Sequence, residues 1–145
     1  MQNFYVDTCV YFNLWKKEVD EKGAPLWLFA KNFFEFAELN NAKIFYSGFI
    51  LKELLFLLSM EDYLEKRSFL EENNMFEKAL LTEKEYQKAI NLKNKTNTGC
   101  SLFDIIHVII ADKTKSILIT QDKELLDLAD YYKVAAKTPQ EVINY

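Results

Sequence analysis

Short β-prone runs alternating with helix-length segments constrain this chain more than any other feature. Residues 4–6, 43–46, 76–80, 116–120 (Ser-Ile-Leu-Ile-Thr) and 132–135 read as strands. Between them the apolar residues recur at helical spacing. A helix is expected over 8–17. Another follows from Pro25 to about residue 40, with Leu26, Phe29, Phe33, Phe34, Phe36 and Ala37 on its apolar face. Further helices are expected over 47–59, 61–73, 82–93 and 101–115, and after Asp122. Thr82 to Glu85 matches a capping box, and Thr138-Pro139-Gln140-Glu141 combines an N-cap, a first-turn proline and a capping-box acid. Residues 94–99 form the most loop-like stretch. Strands alternating with helices in this way predict an α/β fold with a mostly parallel sheet. In such sheets ligands gather at the carboxyl ends of the strands.

Composition narrows the class. The 145 residues are expected to form one domain, 1–145, with no repeat or linker. Half the residues are apolar and 15% are aromatic, which excludes global disorder. Eighteen basic against 22 acidic residues exclude a globally basic nucleic-acid coat, though not an enzyme with a local basic rim. Three glycines cannot supply a phosphate-cradling Gly-rich turn. Cys9 and Cys100 are too few for a disulfide framework and lack zinc-finger spacing, so both read as small packing residues. The opening residues lack a secretory pattern, and the longest apolar run, 49–58, is interrupted by Lys52 and Glu53. A soluble, cytoplasmic protein without a membrane span is expected.

Position makes the acids informative. Asp7 lies just past the first strand and Asp122 just past Ser-Ile-Leu-Ile-Thr; each is equally well read as a helix N-cap. Asp104, three residues after Ser101, fits a capping box. Glu53 is harder to place, because its helix is apolar on nearly every side. A carboxylate desolvated there costs several kcal/mol unless it is paired or near a metal, and a lysine at the rim is the plain alternative. If Asp7, Glu53, Asp104 and Asp122 converge on one sheet edge, their mutual repulsion is relieved by a divalent cation. Oxygen-only ligands select Mg²⁺ or Mn²⁺ over zinc, and such a centre suits phosphodiester hydrolysis.

At these residues the sequence resembles the PIN-domain ribonucleases, most closely the small VapC-type toxins of toxin–antitoxin pairs. The match runs through Tyr5-Val6-Asp7-Thr8, then Glu53 within Ser47 to Leu54, then Ser101-Leu102-Phe103-Asp104-Ile105-Ile106-His107, and lastly Ile117-Leu118-Ile119-Thr120-Gln121-Asp122. Gln121 stands where the family often has Arg, and Ile105 and Ile106 stand where it often has small residues. The resemblance implies a three-layer α/β/α fold with a short, mostly parallel sheet. It also implies Asp7, Asp104 and Asp122 as metal ligands, direct or through water, with Glu53 acting through metal-bound water. Thr8 and Thr120 resemble hydroxyls that orient those carboxylates, supported by Ser101 and by His107, which reads equally as a core histidine.

RNA contacts are expected from lysines flanking the motifs, namely Lys52, Lys93, Lys95 and Lys123, with Lys113 and Lys115 nearby; each also reads as an ordinary solvated charge. The loop 93–99 is the candidate substrate-facing element. The resemblance further implies an Mg²⁺- or Mn²⁺-dependent endoribonuclease, a cognate antitoxin that blocks the acidic cleft, and a homodimer. The helices over 25–39 and 49–59 read either as that dimer surface or as core. Two other readings stand beside the toxin: a housekeeping RNA-processing PIN nuclease, and a non-catalytic PIN-like module that binds RNA or protein. A HAD-type phosphatase lacks its second acid here, since Cys9 occupies that position.

Overall fold

A computed structural model describes residues 2–95 and 99–144. Among these, five strands form one sheet: β1 (Asn3–Val6), β2 (Lys43–Ser47), β3 (Phe76–Ala79), β4 (Ile117–Ile119) and β5 (Ala136–Lys137). Their order is β3-β2-β1-β4-β5, and every neighbouring pair is parallel. The connecting helices are α1 (Thr8–Trp15), α2 (Leu26–Leu39), α3 (Gly48–Leu57), α4 (Met60–Glu72), α5 (Glu83–Lys95), α6 (Leu102–Lys113), α7 (Lys123–Tyr131) and α8 (Pro139–Ile143).

The central strand shows how the layers form. Phe4, Tyr5 and Val6 are fully buried, as expected of a strand covered on both faces. Alternation sends Phe4 against Phe33 of α2, with ring centroids 5.0 Å apart, and Tyr5 to the opposite face against His107 of α6. Helix α2 packs with α1 and α8, while α6 packs with α5 and α7. The result is the expected three-layer α/β/α arrangement. The chain first builds outward from β1 through β2 to β3, then returns to place β4 and β5 on the other side. That reversal opens a crevice at the carboxyl ends of β1 and β4, the usual ligand position in such sheets.

Helix starts follow the predicted caps. Thr82 and Glu85 exchange backbone and side-chain hydrogen bonds, as do Ser101 with Asp104 and Thr138 with Glu141. Helix ends differ more from expectation. The proposed strand over 132–135 is a helix-closing turn instead, and β5 begins only at Ala136. Tyr132 caps α7, Lys133 adopts φ 59°, and the Val134 N–H reaches back to the Ala129 carbonyl at 2.8 Å. The same device closes three other helices. Lys17, Asn41 and Lys115 take φ of 49°, 53° and 54°, and Glu18, Ala42 and Ser116 donate back to Asn13, Ala37 and Ala111. These are Schellman closures built without glycine. Helix α5 continues through Asn94 and Lys95, two residues into the expected loop; Thr96, Asn97 and Thr98 of that loop lie outside the described residues.

The two apolar helices divide their surfaces. Ala30, Phe33 and Ala37 of α2 and Ile50, Leu51 and Leu54 of α3 are core, whereas Leu39, Leu55, Phe56 and Leu57 are exposed. No described helix is long and apolar enough to cross a membrane.

Non-glycine residues in the left-handed region carry a steric cost, which yields a direct test. Lys133→Gly is expected to raise unfolding free energy by about 0.5–1 kcal/mol in urea titration. A loss of stability would contradict the closure described for α7.

Candidate active site

Asp7 leaves β1 in extended geometry and caps α1, its Oδ1 accepting the Thr8 N–H at 2.8 Å. Its backbone N–H continues the sheet ladder to the Ile119 carbonyl at 2.9 Å, which locks it between β1 and β4. Oδ2 accepts from the Thr120 hydroxyl at 2.8 Å and the Cys9 thiol at 3.2 Å. Thr120 also accepts the Asp122 N–H at 3.0 Å, so one threonine orients two acids. Asp122 in turn caps α7 by accepting the Glu124 N–H at 2.9 Å.

Glu53 enters from α3, whose N-cap Ser47 accepts the Ile50 N–H. Its Oε1 accepts from Thr8 Oγ1 at 3.0 Å and faces His107 Nε2 at 2.7 Å. Its partners are therefore a hydroxyl and an imidazole rather than a rim lysine. His107 is almost wholly buried, and its Nδ1 lies 2.8 Å from the Tyr5 hydroxyl. Asp104, half-buried, completes the capping box on Ser101. Both roles expected of it, cap and cleft acid, thus fall on one side chain.

Asp7, Glu53, Asp104 and Asp122 line one cleft of about 410 Å³. Asp7, Glu53 and His107 each present a ligand atom within 4.8 Å of the others. Lys16 and Glu18 also line the cleft, and neither was singled out from sequence. Thr8 and Phe12 of α1 and Lys16, its C-cap, fall at successive four-residue steps, the spacing that could have pointed to Lys16. Its ammonium lies 4.8 Å from the Phe12 ring centroid. Cys9, expected as packing, is a half-buried cleft residue whose thiol donates to Asp7. Burial and the Asp7 charge push that thiol well above its usual range, so it remains protonated.

None of Lys52, Lys93, Lys95 and Lys123 lines this cleft. Lys52, Lys95 and Lys123 are exposed, and Lys93 donates to the Cys100 carbonyl at 2.7 Å. Lys113 is engaged by Glu85 at 2.7 Å.

The electrostatics reflect a surplus of desolvated negative charge. Burial raises the Asp7 carboxyl above its ordinary range; His107 and the Thr120 and Cys9 hydrogen bonds oppose this, and the Glu53 charge adds to it. Burial works against the imidazolium of His107, but the Glu53 hydrogen bond and the charges of Asp7, Glu53 and Asp104 outweigh it and raise its pKa. A carboxyl raised on folding binds its proton more tightly in the native state. Its contribution to stability therefore falls as pH rises from the unfolded to the folded value, and the deficit persists at neutral pH. Metal-free Asp7→Asn is expected to melt a few degrees above the unsubstituted protein at about pH 7.5, with the gap closing below about pH 4. A variant that melts lower at neutral pH, by an amount independent of pH, would contradict this.

Comparison with known proteins agrees with the architecture. The model of the PIN domain matches residues 4–131. No curated protein matches the sequence. Among solved structures, VapBC-1 from nontypeable Haemophilus influenzae aligns with TM-score 0.65 and 15% identity, covering 95% of this chain and 98% of that one. FitAcB from Neisseria gonorrhoeae aligns with TM-score 0.60 and 16% identity, covering 94% and 97%. A domain of a functionally unknown protein from Methanocaldococcus jannaschii aligns with TM-score 0.54 and 22% identity, covering 95% and 91%. At these identities the structural likenesses speak for the fold alone. The family model, spanning most of the sequence and including Asp7, Glu53, Asp104 and Asp122, identifies the chain as a member of the PIN-domain family.

Proposed function

We propose that this chain, acting as a single domain, is a divalent-metal-dependent ribonuclease that hydrolyses RNA phosphodiester bonds, and that it is the toxin of a toxin–antitoxin pair. The observation carrying this reading is the convergence of Asp7, Glu53, Asp104 and Asp122 on one cleft. The donor set fits Mg²⁺ or Mn²⁺: the carboxylates offer hard oxygens, and Asp7 is buried against the charge of Glu53 with no lysine or arginine bonded to it among the described residues. Asp7, Asp104 and Asp122 are the proposed ligands, with Glu53 acting through water. A bound divalent cation supplies charge screening for the phosphate and a lowered pKa for water.

The chain's own residues divide the remaining work. Thr120 holds the Asp7 carboxylate and the Asp122 backbone in one register. Thr8 and His107 both engage Oε1 of Glu53, which leaves Oε2 to take a proton from the attacking water. Lys16, at the cleft wall, supplies a cation for a backbone phosphate. Lys52, Lys95 and Lys123, all exposed, are the proposed RNA contacts outside the cleft.

The likeness in fold to VapBC-1 and FitAcB supports an antitoxin partner, and the carboxylates of the cleft suit a basic residue from that partner. A homodimer, working in the cytoplasm, completes the proposal. Exposed Leu55, Phe56, Leu57 and Met60 around the α3–α4 junction supply apolar surface for association.

The test is cleavage of mixed cellular RNA by purified, refolded protein with Mg²⁺ or Mn²⁺ against EDTA. Cuts are expected only with metal, and Asp104→Asn is expected to reduce them at least about 100-fold. Equal cleavage in EDTA, or full activity in the variant, would overturn the reading. No cleavage at all would favour the non-catalytic binding module.

A further inference from the structure

The Tyr5 hydroxyl is fully buried at the centre of the sheet, yet it touches side chains from two separate helical segments. It lies 2.8 Å from Ser47 Oγ and 2.8 Å from His107 Nδ1. Ser47 caps α3, the helix that carries Glu53. His107 stands one turn beyond Asp104 on α6, and Tyr5 itself is two residues before Asp7 on the chain. One phenol oxygen therefore links the three elements that deliver Asp7, Glu53 and Asp104 to the cleft.

Donor chemistry sets how the links can run. At 2.7 Å from a carboxylate oxygen, His107 Nε2 must carry a proton, because two facing lone pairs would repel. In the neutral ring Nδ1 accepts the Tyr5 O–H; in the imidazolium Nδ1–H donates to the Tyr5 oxygen. Ser47, whose oxygen accepts the Ile50 N–H, donates its hydrogen to Tyr5 in the first case and accepts the Tyr5 O–H in the second. In either case the chain Ser47 to Tyr5 to His107 to Glu53 is continuous, and it ends on the carboxylate.

We propose that Tyr5 is a positioning residue of the cleft: through His107 it fixes the Glu53 carboxylate, and with it the spacing of the acids that receive the divalent cation. This rests on the reading of the cleft as a cation site. Outer partners that orient metal-binding groups characteristically change metal affinity by about 10–100-fold.

Calorimetric titration with Mn²⁺ tests it without reference to activity. Tyr5→Phe removes one oxygen and keeps the ring; it is expected to weaken Mn²⁺ binding about tenfold while the circular dichroism spectrum is unchanged. His107→Gln retains an N–H for Glu53 but severs the link to Tyr5. In that background Tyr5→Phe is expected to weaken binding by less than about twofold, the signature of action through one shared partner. Affinity in Tyr5→Phe within about twofold of the unsubstituted protein would overturn the proposal, as would an undiminished loss in the His107→Gln background. Should Tyr5→Phe fail to fold, Ser47→Ala reads the other end of the same chain: a several-fold loss supports the link and unchanged affinity overturns it. An unsubstituted protein that takes up no Mn²⁺ would remove the cation site itself, an outcome distinct from all of these.

Discussion

Asp7 ends the central strand with both carboxylate oxygens taken, by the Thr8 N–H, the Thr120 hydroxyl and the Cys9 thiol, and with 8% of its surface exposed. None of those partners carries a positive charge, and the nearby Glu53 makes the position more negative still. A carboxylate so placed works against folding unless something supplies compensating charge. The surroundings answer this with neutral donors and one imidazole, which orient the acid and soften the penalty without removing it. The strand order places this deficit in the crevice between β1 and β4, where the chain ends of both strands meet. Fold and site are linked through that one residue.

The acids were legible in the sequence because each carries a local signature besides its chemistry. Asp7 and Asp122 follow strands and cap helices, and Asp104 completes a box with Ser101. Helix starts were legible for the same reason, since caps are written in one or two side chains. Helix ends were legible only to within about two residues, and the turns that close them were not. Four of them close on Lys or Asn in the left-handed region rather than on glycine, so the residues 132–135, β-prone in composition, turned out to close α7. The spatial partners of Glu53 were also invisible: Thr8 and His107 stand 45 and 54 residues away in sequence. Lys16 was overlooked because its role depends on the four-residue stripe it shares with Thr8 and Phe12 rather than on a motif.

The apolar surplus of α3 has a physical explanation that composition alone did not supply. Its core face is satisfied by Ile50, Leu51 and Leu54, which seat the helix against the sheet. Leu55, Phe56 and Leu57 remain outside, and Leu57 reaches the rim of the acidic cleft. Glu53 therefore sits between a packed face and an apolar exposed one. That position limits the solvent around it and gives weight to the two hydrogen bonds that hold it.

The proposed chemistry depends on the cleft being a cation site anchored by Asp7. Anomalous scattering from crystals soaked in Mn²⁺ tests this most directly. The account predicts a peak in the cleft roughly 2 Å from a carboxylate oxygen of Asp7 and bounded by Asp104 and Asp122. Saturating Mn²⁺ with no peak in the cleft, or with ions only at surface carboxylates elsewhere, would contradict it.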